Sequence, residues 1–264
     1  MKKISIRGHF YLILISLFLI LAALYLNWAY AHIYNGIQNA GLKQVKELVT
    51  YNFNISDSKD NAGPIGSPFK YVALGDSLTY GIGTNNYQES YPYLISKNLA
   101  NRNGGETPLT LYNYSWPGDK SSDLIEKFLP YAILEQPDIV TVLIGVNDIH
   151  DQISAADFKI NYDKILAGLT SKTKAKIYVV SIPYIGSNKL ILPPYNFYFD
   201  YKTKQFNKII KELALKYNVA YVDLYAATSN LFKKSGAHYS ADLFHPSVSG
   251  YALWGQLIYD SLNK

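Results

Sequence analysis

Four short polar segments each follow, or stand apart from, an apolar run in this 264-residue chain, and together they hold most of the residues able to do chemistry. The first is Gly75-Asp76-Ser77-Leu78, directly after the apolar run at 71–74. A serine just past a strand, beside a glycine that lets the backbone turn sharply, is placed like an exposed nucleophile. The G-x-S-x-G elbow is absent, so the α/β-hydrolase version of such a site is not indicated. On its own the tripeptide fits a turn with an Asp-capped helix equally well. The second segment is Asn113-Tyr114-Ser115-Trp116-Pro117-Gly118, the third Gly145-Val146-Asn147-Asp148, and the fourth Asp242-Leu243-Phe244-His245-Pro246. Taken singly, Gly118 reads as a turn glycine and Asn147 as a helix cap. There is no cysteine, which excludes a disulfide framework, a thiolate metal site and a cysteine nucleophile.

These segments need strands to hold them. Runs rich in β-branched and aromatic residues recur at 71–74, 109–114, 139–144, 177–182 and 219–222. Between them lie stretches of helical periodicity. Tyr91, Leu94, Ile95 and Leu99 make one face, Leu124 to Ala132 a second, and Phe158 to Leu169 a third, followed by Phe206 to Leu215 and Tyr251 to Leu262. Alternating strands and helices predict a three-layer α/β/α domain on a five-stranded parallel sheet. In such a sheet, ligands meet the loops at the carboxyl ends of the strands, which is where the polar segments fall.

The first quarter of the chain is of another kind. Residues 10–26 are apolar and aromatic, and with 27–31 the stretch reaches 22 residues, about 33 Å as a helix. Lys2, Lys3 and Arg7 precede it and no Lys or Arg follows until Lys43, so the N-terminus is expected in the cytoplasm and the remainder outside. Residues 1–31 are either a retained signal anchor or a signal peptide cleaved after Ala29-Tyr30-Ala31. Residues 32–68 read as a juxtamembrane stalk and linker, with a loose amphipathic helix over 32–53 and a polar, turn-rich 54–68. The folded domain is expected over 69–264. The net charge of +5 belongs largely to the tail, because 69–264 holds 19 basic and 17 acidic residues. That balance leaves no basic stripe for nucleic acid.

With their order, spacing and intervening elements, the four segments resemble the motif blocks of the SGNH/GDSL hydrolases, over residues 69–262. The resemblance implies that fold (flavodoxin-like) and an extracytoplasmic serine hydrolase of carboxylic esters, of the esterase, lipase or lysophospholipase kind. It implies Ser77 as nucleophile, His245 as base and Asp242 as its carboxylate partner, the last being the member some relatives replace with a backbone carbonyl. The oxyanion hole it implies consists of the N–H groups of Ser77 and Gly118 and the side-chain amide of Asn147. These residue types suit the chemistry: a serine hydroxyl needs a base, imidazole titrates near neutrality, and an amide donates without adding charge. Asp76 and Asp148 are expected to hydrogen-bond the loops around Ser77 and Asn147. Of the five histidines, His9 and His32 flank the apolar stretch, His150 reads as a loop residue lining the pocket, and His238 lacks the Asp three residues earlier that His245 has. Neither a cofactor nor a metal is implied. The substrate is a small-molecule, lipid or glycan ester; no obligate protein partner is evident. Alternatives are an acyltransferase or polysaccharide O-acetylesterase using the same site, a metallophosphoesterase, and a non-catalytic binding module. Residues 183–201, rich in Ile, Leu, Tyr and Phe, form an aromatic insertion that is either a lid or a packed loop.

Overall fold

The computed structural model describes residues 6–39, 49–53, 68–101, 108–234 and 236–262. Five parallel strands form the sheet expected from the sequence: β2 (Phe69–Gly75), β3 (Leu109–Ser115), β4 (Ile139–Leu143), β5 (Lys176–Val180) and β6 (Ala220–Val222). A sixth, β1 (Val49–Phe53), joins the edge antiparallel to β3, giving the order β1-β3-β2-β4-β5-β6. The loose helix expected over 32–53 therefore does not form across its whole length. Thr50, Tyr51 and Phe53 are β-branched or aromatic, and the exposed edge of β3 offers them a ladder that an isolated helix cannot match. The sheet thus begins within the segment read as a stalk; the linker at 54–67 lies outside the described residues.

Helices cover both faces. After the short α2 (Ser77–Tyr80), α3 (Tyr91–Ala100) packs beside the C-terminal α10 (Val248–Leu262). The face expected to run from Leu124 to Ala132 is broken into α4 (Ser121–Lys127) and α5 (Leu129–Leu134), because Pro130 cannot continue a helix but fits its first turn. Next come α6 (Val146–His150), α7 (Ala155–Lys172), α8 (Tyr195–Tyr217) and α9 (Leu224–Lys234). Phe158 of α7 stacks on Phe206 of α8 with ring centroids 4.2 Å apart. Leu215, expected on the buried face of α8, is exposed instead.

The N-terminal α1 (Ile6–Asn39) is long and apolar enough over His9–Ile37 to cross a membrane. From Phe10 to Leu24 its large side chains are exposed on every side. The insertion at 183–201 is a packed loop followed by the first turns of α8. Ile185, Leu190 and Ile191 are buried, while Phe197, Tyr198 and Tyr201 remain exposed.

Candidate active site

The strand order changes direction at β2, which pairs with β3 on one side and β4 on the other. Gly75 lies level with Ser115 and with Leu143, so the three loops leave the sheet at one height and enclose a crevice. Gly75 cannot carry a side chain: a Cβ there would come within 2.0 Å of Thr79 Oγ1 and 2.4 Å of the Leu143 carbonyl. This close approach turns the chain from β2 straight into α2. Asp76 caps that helix by accepting from the Leu78 N–H at 2.9 Å, and Ser77 is its first residue. Two further contacts clamp α2. The Asn113 amide donates to the Thr79 carbonyl at 2.9 Å, and the Thr79 hydroxyl lies 2.9 Å from that of Tyr91.

His245 arrives from the opposite side. Leu243 adopts a left-handed conformation (φ +61°), rare for a branched side chain, and this folds Asp242 back over the residues that follow it. Asp242 Oδ1 accepts from the N–H groups of Phe244 and His245 at 2.8 and 2.9 Å and from the Ser240 hydroxyl at 2.7 Å. Its Oδ2 lies 2.8 Å from His245 Nδ1, and His245 Nε2 lies 2.9 Å from Ser77 Oγ. Burial pushes the Asp242 carboxyl up, but the bond to His245, the attraction of its ring and the loop donors together hold it at about 2. An ionised Asp242 fixes the imidazole with Nδ1–H toward itself, leaving the Nε2 lone pair for the serine proton.

The donors lie across the cleft. Gly118 has φ +88° with open space where a Cβ would stand, so its conformation alone requires glycine there. Asn147 sits on the first turn of α6 and donates through Nδ2 to the Asp119 carbonyl at 2.9 Å, which leaves its second amide hydrogen free to aim into the cleft. Among the described residues, the N–H groups of Ser77 and Gly118 have no protein acceptor. Asp76 supports the Ser77 turn as expected. Asp148 does something different: it accepts from the Ser121 N–H at 2.9 Å and from the Ser121 hydroxyl, so it ties α6 to the loop carrying Gly118. Burial raises the Asp148 and Asp119 carboxyls, and it raises Asp76, fully buried near both, to about 7.

Ser77, Gly118, Asn147 and His245 thus line one open cleft of about 320 Å³. Asp242 stands behind His245. His150 borders the cleft with its Nδ1 3.2 Å from Asp151 Oδ1, whereas His238 is stacked on Phe232. Asn113, Asp119 and Ser121, which hold the loops, carry no sequence signal of that role beyond being polar in segments that must be buried. Among the described residues there is no group of three or more His, Asp or Glu able to hold a metal ion.

The model of the GDSL-like lipase/acylhydrolase family matches residues 73–253. An acetylxylan esterase of Geobacillus stearothermophilus is 27% identical over 206 residues, covering 72% of this chain and 91% of that protein. The crystal structure of a lipase/acylhydrolase from Enterococcus faecalis superposes with a TM-score of 0.60 at 25% identity, over 74% of this chain and 95% of that one. A crystal structure of an acetylxylan esterase from G. stearothermophilus gives a TM-score of 0.61 at 21% identity, over 76% and 97% of the two chains.

Proposed function

Because the chain belongs to the GDSL-like lipase/acylhydrolase family and is an ester-hydrolysing enzyme, we propose that Ser77 is its nucleophile, His245 its general base and Asp242 the orienting carboxylate. The observation that carries this reading is the unbroken chain Asp242 Oδ2···Nδ1 His245 Nε2···Oγ Ser77, at 2.8 and 2.9 Å. As Ser77 Oγ attacks the ester carbonyl, His245 takes its proton and Asp242 stabilises the imidazolium. The carbonyl oxygen, now negative, is met by the N–H of Ser77, the N–H of Gly118 and the Asn147 amide. His245 then returns the proton to the leaving alcohol oxygen, and a water activated by the same imidazole releases the acid from Ser77.

The substrate we infer is a short acyl ester, such as an acetyl group, on a carbohydrate or similarly polar alcohol. Two observations support it. The cleft beside Ser77 offers about 320 Å³ between apolar and polar walls, at the small end for a ligand site. A second apolar space, which shares Phe244 with the cleft and lies between Leu78, Val146 and Tyr184, is only about 10 Å³, too little to take an acyl chain. The acetylxylan esterase relative points the same way. The exposed apolar surface of α1 and the basic residues before it support an anchored enzyme with its catalytic domain outside the cytoplasm.

The test uses the full chain in detergent micelles with p-nitrophenyl esters from C2 to C16, wild type beside Ser77→Ala, and a fluorophosphonate probe followed by peptide mapping. Hydrolysis strongest at C2, lost in Ser77→Ala, with the probe on Ser77, is expected. Activity surviving the substitution refutes the nucleophile; a preference for C12 or longer refutes the short-acyl reading.

A further inference from the structure

The end of α1 enters the active-site cleft. Up to Leu24 the helix stands clear of the domain, but from Tyr25 onward one face turns inward. Ala29 and Ile33, one turn apart, are 0% and 2% exposed against the domain. The Tyr25 hydroxyl donates to the Pro193 carbonyl at 2.8 Å, and the Tyr195 hydroxyl donates to the Leu26 carbonyl at 3.2 Å. One turn further, Gly36 lies so close to Leu190 that a Cβ would stand 2.4 Å from Leu190 Cδ1. These contacts fix both the rotation of the helix and its height on the domain. They also account for the packed residues of the 183–194 loop, which grip α1.

With the rotation fixed, Tyr34 and Ile37 become walls of the cleft that holds Ser77, Gly118, Asn147 and His245. Tyr34 stacks loosely on Tyr30 and is 44% exposed, so much of its ring is uncovered apolar surface beside the reacting atoms. An aromatic ring in that position gains more from covering a substrate than from facing water.

We propose that Tyr34 and Ile37 contact the substrate and set its ester preference, so that the N-terminal helix is a fixed wall of the active site. The proposal rests on the reading of Ser77 as nucleophile. It also requires the helix to stay attached: a cut after Ala31 would sever Tyr34 and Ile37 from the contacts at Tyr25, Leu26 and Ala29 that hold them in place.

The experiment compares full-length wild type, Tyr34→Ala, Ile37→Ala and Tyr34→Trp in detergent micelles. One substrate series lengthens the acyl group on p-nitrophenol from C2 to C8. The other keeps acetate and enlarges the alcohol from phenol to a peracetylated xylose. Fluorophosphonate labelling of Ser77 reports the nucleophile independently of these substrates. Both alanine variants should still be labelled at Ser77 to completion, which shows the nucleophile intact. In at least one series the kcat/KM ratio between largest and smallest ester should move about tenfold, mainly through KM, as loss of an apolar substrate contact does. Tyr34→Trp should restore the ratio. Ala29→Glu, which places a charge in the docked face, should shift it as Tyr34→Ala does. Unaltered labelling with wild-type ratios in both series overturns the proposal. If the wild type is not labelled at Ser77, the underlying reading fails and this one falls with it.

Discussion

Asp76→Asn should remove a pH dependence of stability that comes from the turn before Ser77. The Asp76 carboxyl is wholly buried; Oδ1 accepts from the Leu78 N–H, and Oδ2 has no hydrogen-bond partner among the described residues. Burial is the main cause that raises it from 3.8 to about 7; the Leu78 N–H pulls it down, and Asp148 and Asp119 push it further up. Its folded-state value is therefore above the unfolded one. The stability linked to its proton is fully present below about pH 4 and is lost as pH rises toward 7. The span from 3.8 to about 7, at about 1.36 kcal/mol per pH unit, makes the loss about 4 kcal/mol. Asparagine keeps the capping oxygen and cannot ionise. Relative to wild type, Asp76→Asn should thus gain stability steadily between pH 4.5 and 7 and then level off. Thermal unfolding of both full-length proteins in the same detergent, at half-unit pH steps, measures the difference and cancels the other titrating groups. A difference that stays flat across that range would refute the idea that Asp76 is held neutral by burial.

Asn147→Ala should lower kcat on a p-nitrophenyl ester by about 10²–10³, with KM nearly unchanged, because an oxyanion donor is worth about 2.7–4 kcal/mol in the transition state; steady-state kinetics separates the two. Asp242→Asn leaves the loop bonds to Oδ1 but removes the charge that orients His245, and kcat should drop on the order of 10⁴-fold. In the wild type Asp242 has its carboxyl lowered to about 2, so the stability it supplies is present above about pH 4 and is lost as pH falls toward 2. Between about pH 4 and 2 wild type should therefore lose up to about 2 kcal/mol of stability that Asp242→Asn, already without that charge, does not lose; acid unfolding of the two proteins measures it. Gly75→Ala places a methyl 2.0 Å from Thr79 Oγ1 and 2.4 Å from the Leu143 carbonyl, and should cost about 1–3 kcal/mol with loss of Ser77 labelling; a fully labelled, equally stable variant would show that the turn relaxes freely.

The sheet was legible because each parallel strand is a buried apolar run, and a run buried on both faces looks the same in sequence as in space. The candidate site was legible for a related reason. Ser77, Gly118, Asn147 and His245 each sit on a short polar segment at a strand end or a helix start, and the resemblance of those segments to the SGNH/GDSL motif blocks is what implied their meeting. What escaped is what depends on partners far away in sequence. Val49–Phe53 has β-branched and aromatic residues of its own, but it becomes a strand through the edge that β3 offers about sixty residues away, which no local pattern announces. Asp119 acts through its backbone carbonyl, which has no residue identity to read. The break at Phe128 was written in Pro130, but the amphipathic face continues through it and hides it. The docked end of α1 was read as part of an apolar run because hydrophobicity alone does not distinguish a face turned to lipid from one turned to Pro193 and Leu190.

The grip on α1 works as a ruler. Beyond Trp28 and Tyr30, where an aromatic belt would meet the membrane boundary, the helix climbs four to six residues to Tyr34, about 6–9 Å at 1.5 Å per residue. The exposed rings of Phe197, Tyr198 and Tyr201 follow Tyr195, whose ring lies 6.0 Å from that of Tyr30. For a membrane-spanning helix held upright, the cleft that Tyr34 shares with Ser77 would stand near the outer edge of a headgroup layer about 5–8 Å deep. An acyl ester at the glycerol level would then lie below its reach, while an ester displayed on a sugar at the surface would stand level with it. Selectivity among esters would then be set partly by altitude, before any pocket contact is made.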